Sequence, residues 1–224
     1  MNNKYTHIAV IPARKNSKSL PFKNRFLFKH TAKFLRNNKL FDDVYVNSDD
    51  LYMKVQAKKY DFNFYKRKKN LAKDTTCIKE VFVDMKNKLK FSDKTFIWLF
   101  YIPLIYKNST DFKKSIKLVE SKKLKSVCAF IKAKTNPMSC WYIKNKKPIQ
   151  FIKNNLYRRQ DFPLAFEHHH YICGFNAKYL NKLNSELIFQ NTYPIVLNNN
   201  TSKKLIEVDT PEILKKFLKM KNKK

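Results

Sequence analysis

Three short stretches of the chain carry side chains whose types and spacing suit chemistry on phosphate groups. The first follows the apolar run His7–Pro12, where Arg14, Lys18 and Lys23 stand close to the Ser17 hydroxyl and the Asn24 amide. Cations beside short polar donors complement a triphosphate, because charge-assisted hydrogen bonds to phosphate oxygens are the strong ones. The second is Leu205–Asp209, in which Glu207 and Asp209 lie two residues apart. In an extended segment, alternation sets both carboxylates on one face. Such a pair suits Mg2+, a hard cation that takes oxygen ligands and bridges protein to phosphate. Asp209 is the expected ligand, and Glu207, longer by one methylene, a more indirect one. Capping of a following helix is the competing role for Asp209. The third stretch is His168-His169-His170. Strand neighbours point to opposite faces, so only His168 and His170 can share an ion, and no nearby Cys or His completes a metal site.

These groups need a frame. Short apolar runs alternate with longer amphipathic ones, the pattern of an α/β fold with a mostly parallel sheet. His7–Pro12, Asp43–Asn47, Thr95–Tyr101 and Ser126–Ile131 read as strands, and Thr95–Tyr101 is apolar enough to be central and covered on both faces. Ile78, Val81, Phe82, Met85 and Leu89 recur at helical spacing and predict a helix over Thr76–Leu89. Leu205–Val208 reads as a strand feeding a last helix. Thr210-Pro211-Glu212 opens that helix with a cap residue, a proline at its first position and a carboxylate in its first turn. The loop after the first strand then occupies the place where open α/β sheets bind ligands, outside the strands' carboxyl ends.

Composition narrows the partners. Of 48 Lys and Arg against 17 Asp and Glu, only Arg14, Arg25, Arg36, Arg67, Arg158 and Arg159 are arginines, and the lysines run along the whole chain. Nucleic-acid readers favour the bidentate arginine fork, so the net charge of +31 implies a solvated lysine surface and not a nucleic-acid partner. That field would still concentrate anionic substrates. No apolar run approaches the ~20 residues needed to span a bilayer. The polar Met1-Asn2-Asn3-Lys4 start lacks the plan of a secretory signal, so a cytoplasmic protein without a membrane partner is expected. Cys77, Cys128, Cys140 and Cys173 are widely spaced and imply neither a disulfide framework nor a zinc knuckle.

Five segments, in order, resemble the CMP-sialic acid synthetase (acylneuraminate cytidylyltransferase) family of CMP-sugar synthetases. Pro12-Ala13-Arg14-Lys15-Asn16-Ser17-Lys18, continuing through Pro21, Lys23 and Asn24, is similar to its nucleotide loop, with Lys15, Asn16 and Ser19 in place of glycines. Phe41–Asp50 resembles its second strand. Arg67 followed by Leu71-Ala72-Lys73-Asp74 resembles an element whose arginine faces the nucleotide, Lys68 replacing a proline. Arg159-Gln160-Asp161-Phe162-Pro163 and Leu205–Glu212 resemble the segment before the sugar pocket and the closing acidic motif. Two segments depart: Tyr101–Tyr106 replaces a polar loop, and His169–Cys173 replaces a sugar-pocket stretch.

The resemblance covers nearly the whole chain and implies one Rossmann-like nucleotidyltransferase domain over 1–224, with a dimerisation excursion at about 137–163. It implies transfer of CMP from CTP to the anomeric hydroxyl of an acidic keto-sugar, with release of pyrophosphate. Ala13, Arg14, Ser17, Lys18, Lys23, Asn24 and Arg67 would hold the nucleotide. Arg159 and His169 would hold the sugar, and Asp209 with Glu207 would hold Mg2+. Arg14, Lys18 and Asp209 are the expected catalytic set. Sialic, legionaminic, pseudaminic and eight-carbon acids share this scaffold, so the sugar stays open. The lost glycines and the Tyr101 loop motivate a second reading, a relative that binds nucleotide or an anionic polymer without turnover.

Overall fold

A computed structural model describes residues 4–221, with the side chains of Met220 and Lys221 left aside. In chain order it runs β1 (Thr6–Pro12), α1 (Lys23–Asn38), β2 (Asp43–Ser48), α2 (Leu51–Lys59), β3 (Asn63–Lys66), α3 (Ile78–Leu89), β4 (Thr95–Leu99), α4 (Ser109–Lys122) and β5 (Ser126–Lys132). There follow β6 (Trp141–Lys144), β7 (Lys147–Gln150), β8 (Phe166–Asn176), β9 (Thr192–Val196), α5 (Asn199–Ser202) and α6 (Pro211–Lys221). One seven-stranded sheet has the order β3-β2-β1-β4-β8-β5-β9, and β6 and β7 form a separate hairpin. Every pairing in the large sheet is parallel except those of β8, which runs antiparallel to β4 and β5.

Alternation along the inner strands divides the core into two layers. Ala9 and Ile11 of β1, with Phe96 and Trp98 of β4, pack on α1, α2 and α4 through Leu27, Phe28, Met53 and Phe112. Ile8 and Val10, with Ile97 and Leu99, pack on α3 through Phe82 and Met85. Helices on both faces therefore leave β4 buried along its whole length, as its apolar sequence requires. Gly174, the chain's one glycine, lies on β8 opposite Trp98, and a Cβ there would stand 2.8 Å from Phe96 Cε1 and 2.9 Å from Trp98 Cε3. No described helix is long and apolar enough to cross a membrane.

The expected strand over Leu205–Val208 does not form. Its one sheet-like contact is an isolated antiparallel bridge between Glu207 and Leu104, with Val208 N–H donating to Pro103 O at 3.0 Å. The segment instead makes tight local bonds, Ile206 N–H to Lys204 O and Asp209 N–H to Glu207 O, which replace a ladder. The last helix begins where Thr210-Pro211 predicts, with Ile213 N–H donating to Thr210 Oγ1 at 3.4 Å. Thr210 supplies the cap, which leaves the Asp209 carboxylate for other work. The helix expected from Thr76 starts two residues later, after Cys77, which makes no side-chain cap bond.

Candidate active site

The site forms in the crevice between β1 and β4, where the chain leaves β1 toward β2 on one side and β4 lies on the other. In doubly wound sheets such a switch point opens a cleft at the carboxyl ends of the strands. A cavity of about 240 Å³ occupies it, with Pro12 and Arg14 on the β1 side, Tyr101 and Pro103 on the β4 side, and Lys23, Asn24, Arg67 and Glu207 around its wall.

The loop after β1 is tied down at several points. Ala13 is fully buried, donates its N–H to Asn47 O at 2.9 Å, and accepts from the Ser48 hydroxyl. Lys15 N–H donates to Asp49 Oδ1 at 2.8 Å, and Asn24 Nδ2 donates to Arg14 O at 2.8 Å. Asn24 therefore holds the loop's arginine in place from the start of α1. Positive φ, which glycines at positions 15, 16 and 19 would permit, is not used there. The left-handed residue is Phe22, φ 55°, immediately before α1. The glycine replacements thus bring no backbone strain to this loop.

Arg67 lies beneath the loop, only 6% exposed. Its Nε donates to Asn47 Oδ1 at 2.6 Å and an Nη to Asn47 O at 3.1 Å, so β2 fixes its guanidinium plane. Burial lowers its pKa to about 10, which still leaves a cation at neutral pH. Asp74 pairs with Arg14 at 2.5 Å. Lys68 forms an ion pair with Asp84 at 2.5 Å, and Asp84 also accepts from the Tyr65 hydroxyl. The lysine that departs from the family pattern is thereby employed in holding β3 to α3.

Opposite the cations stand the two carboxylates. The Asp209 carboxylate pairs with the Lys23 ammonium. The Glu207 carboxyl is pushed up to about 7 by desolvation in the cleft wall and then by a hydrogen bond and like charge from Asp209. Because Glu207 as a residue stays exposed, the neighbouring carboxylate is the cause that matters chemically. Two carboxylates this close share a proton or a cation. Lys23 already acts as a partial counter-ion, and the donor set of oxygens beside a phosphate-sized cleft fits Mg2+.

The β4 wall comes from the segment that replaces the family's polar loop. Tyr101 borders the cleft, and burial raises the pKa of its phenol, so it acts as a neutral hydroxyl. Lys107 turns inward, its ammonium donating to Tyr101 O at 3.3 Å and to Leu104 O, and burial pulls its pKa down to about 7. Neither residue was singled out from the sequence as functional, and Asp74 was noted only as a motif position; no local pattern marks a residue whose role arises from a long-range contact.

Not every expected residue lies in this cleft. Lys18 is exposed and Ser17 half-buried on the loop, outside the cavity wall. Arg159 borders a second cavity of about 440 Å³ with Lys132, Lys134, Asn136 and Phe162, beside the β6–β7 hairpin. His169 accepts the N–H of Tyr171 on Nδ1 at 3.1 Å, and burial first, then the flanking histidines, lowers its pKa. It lines neither cavity. His168 and His170 face the other side of β8, where Glu186 joins them.

A cationic cleft at the switch point of a largely parallel sheet, closed by a carboxylate pair, defines a nucleotidyltransferase. A family model described as cytidylyltransferase matches residues 8–185, and the chain belongs to that family, whose members use CTP. No curated protein matches it. Solved structures share its fold at low identity. One is a CMP:2-keto-3-deoxy-manno-octonic acid synthetase complexed with CTP: 14% identity, TM-score 0.67, covering 97% of this chain and 99% of the other. Another is the 4-diphosphocytidyl-2C-methyl-D-erythritol synthase of Anaerococcus prevotii: 16% identity, TM-score 0.61, covering 95% and 94%. A third is a cytidylyltransferase from Leptospira borgpetersenii: 14% identity, TM-score 0.59, covering 94% and 84%.

Proposed function

We propose that the chain transfers CMP from CTP to the anomeric hydroxyl of a sialic-acid-like keto-acid sugar. The observation that carries this reading is the meeting of Lys23 with the Asp209 and Glu207 carboxylates beside a cleft that Arg14, Lys23, Arg67 and Glu207 line. Arg14 and Lys23 hold phosphate oxygens, and Arg67 keeps positive charge beneath the nucleotide. Asp209 and Glu207 would hold Mg2+, which would supply charge neutralisation on the phosphates. The acceptor hydroxyl attacks the α-phosphorus, its bond to pyrophosphate breaks, and the hydroxyl proton leaves to a nearby base. Catalysis of this kind rests on positioning and electrostatics and needs no covalent intermediate.

Lys18, at the exposed rim of the loop, is assigned to the outer phosphates of the nucleotide. The sugar carboxylate is assigned to Arg159 and its neighbourhood to His169. Since Arg159 borders a separate cavity, that assignment needs the excursion at 137–163 to complete the site between two copies, and the working form is a homodimer.

The test is to incubate the chain with CTP, Mg2+ and single acceptors while following pyrophosphate. The panel holds sialic, legionaminic, pseudaminic and eight-carbon keto-acids and a phosphorylated methylerythritol. One keto-acid should support release, with CTP preferred over ATP and GTP. Release with the methylerythritol alone would move the acceptor to the polyol class. Tight CTP binding with no release from any acceptor would support the reading without turnover.

A further inference from the structure

We propose that His168, His170 and Glu186 form a binding site for a first-row divalent transition-metal ion of the Zn2+ type, distinct from the carboxylate pair of the cleft. The three ligand atoms lie within 4.8 Å of one another. His168 Nε2 and His170 Nε2 approach the same Glu186 oxygen at 3.3 Å and 3.7 Å. Both distances exceed the usual ~2.7–3.2 Å of a hydrogen bond, whereas His170 Nε2 also lies 3.2 Å from the Glu186 backbone O, a hydrogen bond that an ion on Nε2 would replace. Ligand atoms bound at ~2.0–2.1 Å to a tetrahedral ion lie roughly 3.4 Å apart, close to the two imidazole-to-carboxylate distances, and all three atoms lie within 4.8 Å, so a small inward shift of the exposed His168 ring closes the set.

Chemistry and position agree with that geometry. Two imidazoles with one carboxylate favour Zn2+, Co2+ or Ni2+ over Mg2+, which takes oxygen donors. His-x-His on a strand puts both rings on one face, and their centroids stand 5.2 Å apart. The third ligand is delivered by a loop closed on itself. Asn184 Oδ1 accepts from Glu186 N–H at 3.0 Å and from Ile188 N–H at 2.9 Å, and fully buried Leu187, φ 62°, anchors the loop to the core. The His170 side chain is 14% exposed while those of His168 and Glu186 are 39% and 50%, so the site is held from within and open to solvent. Three protein ligands leave one position for water or an oxygen of a bound molecule. The His170 ring packs on Tyr101 at 5.2 Å between centroids, and Tyr101 also lines the nucleotide cleft. The ion therefore sits one side chain from the cleft.

The experiment uses tag-free, chelator-treated protein titrated with Zn2+ by calorimetry and with Co2+ by visible absorption, in excess Mg2+. The site predicts one Zn2+ per chain, not displaced by Mg2+, and Co2+ bands of a low-coordinate imidazole site. Changing His168 and His170 together to Asn should weaken Zn2+ binding by roughly 100-fold or more, and Glu186→Gln, a shape-preserving surface change, by at least ~10-fold. His169→Asn, on the opposite face, and Asp209→Asn, in the cleft, should bind as the wild type does. Wild-type binding no tighter than that of the folded double variant would overturn the site. So would an equal loss in His169→Asn, or Zn2+ binding abolished by Asp209→Asn, which would place the ion in the cleft.

Discussion

Asp209 is where capping, ion pairing and metal binding compete for one carboxylate. Thr210 makes the helix cap, so Asp209→Asn removes charge and little else. Its pair with Lys23 is partly exposed, and such pairs contribute at most ~1 kcal/mol, so the melting temperature should move by no more than about 4 °C. Pyrophosphate release with an authentic acceptor should fall by ~100-fold or more, the scale of losing one preorganised electrostatic contact. Near-normal turnover in Asp209→Asn, measured alongside its melting curve, would make the carboxylate structural. The helix start after this residue was legible in the sequence, because Thr210, Pro211 and Glu212 mark it. Asp74 as the partner of Arg14, and Glu186 as the partner of two histidines, were not. Each meets its partner from a different element of the fold, and nothing in the local sequence records that meeting.

At the scale of elements, β8 is the sheet's one antiparallel member and the most constrained. Gly174 faces two aromatic rings of β4 at distances no Cβ tolerates, so Gly174→Ala should destabilise the fold by about 1–3 kcal/mol, read by urea unfolding. An unchanged midpoint would mean that Phe96 and Trp98 shift freely. The segment after β4 makes a second prediction. Burial holds the Lys107 amine at about 7 against an ordinary 10.5, so between those values the unfolded chain binds the extra proton and stability rises with pH. Wild type should gain about 2 kcal/mol from pH 7 to 9 relative to Lys107→Met, whose stability lacks that increment. Parallel unfolding series for the two proteins check it, and identical slopes would show the amine to be solvated. The strands β1, β4 and β5 were readable because burial leaves nearly unbroken apolar runs, and β2 because Val44, Tyr45 and Val46 form a short β-prone run between polar residues. Leu205–Val208 misled because its apolar residues are not met by a strand: β4 ends at Leu99, and the segment's single bridge is with Leu104 in the chain beyond it.

For the whole molecule the governing quantities are a charge of +31 and a group of exposed apolar side chains on and beside the β6–β7 hairpin. An isolated two-stranded hairpin is marginal in water, yet β6–β7 carries Trp141 at 53% and Ile143 at 69% exposure on one face, with Phe151 at 66% just beyond. Exposed apolar side chains on a hairpin of this kind suit a contact surface, and in the proposed dimer a second copy of the chain would cover the Trp141 and Ile143 face. The two copies repel, since each carries the same large positive charge and Lys144, Lys146 and Lys147 crowd the hairpin tip. Salt shortens the reach of that repulsion from ~30 Å at 0.01 M to ~10 Å at 0.1 M, while apolar burial is little affected. The dimer should therefore tighten as ionic strength rises, the opposite of a complex held by charge attraction. Light scattering should give twice the 26.9 kDa chain mass at 0.15 M salt and a shift toward the single-chain mass near 0.01 M. Ile143→Asp should be monomeric at both while still binding CTP, because the nucleotide cleft lies within one copy. A mass independent of both salt and Ile143 would remove the hairpin from any interface.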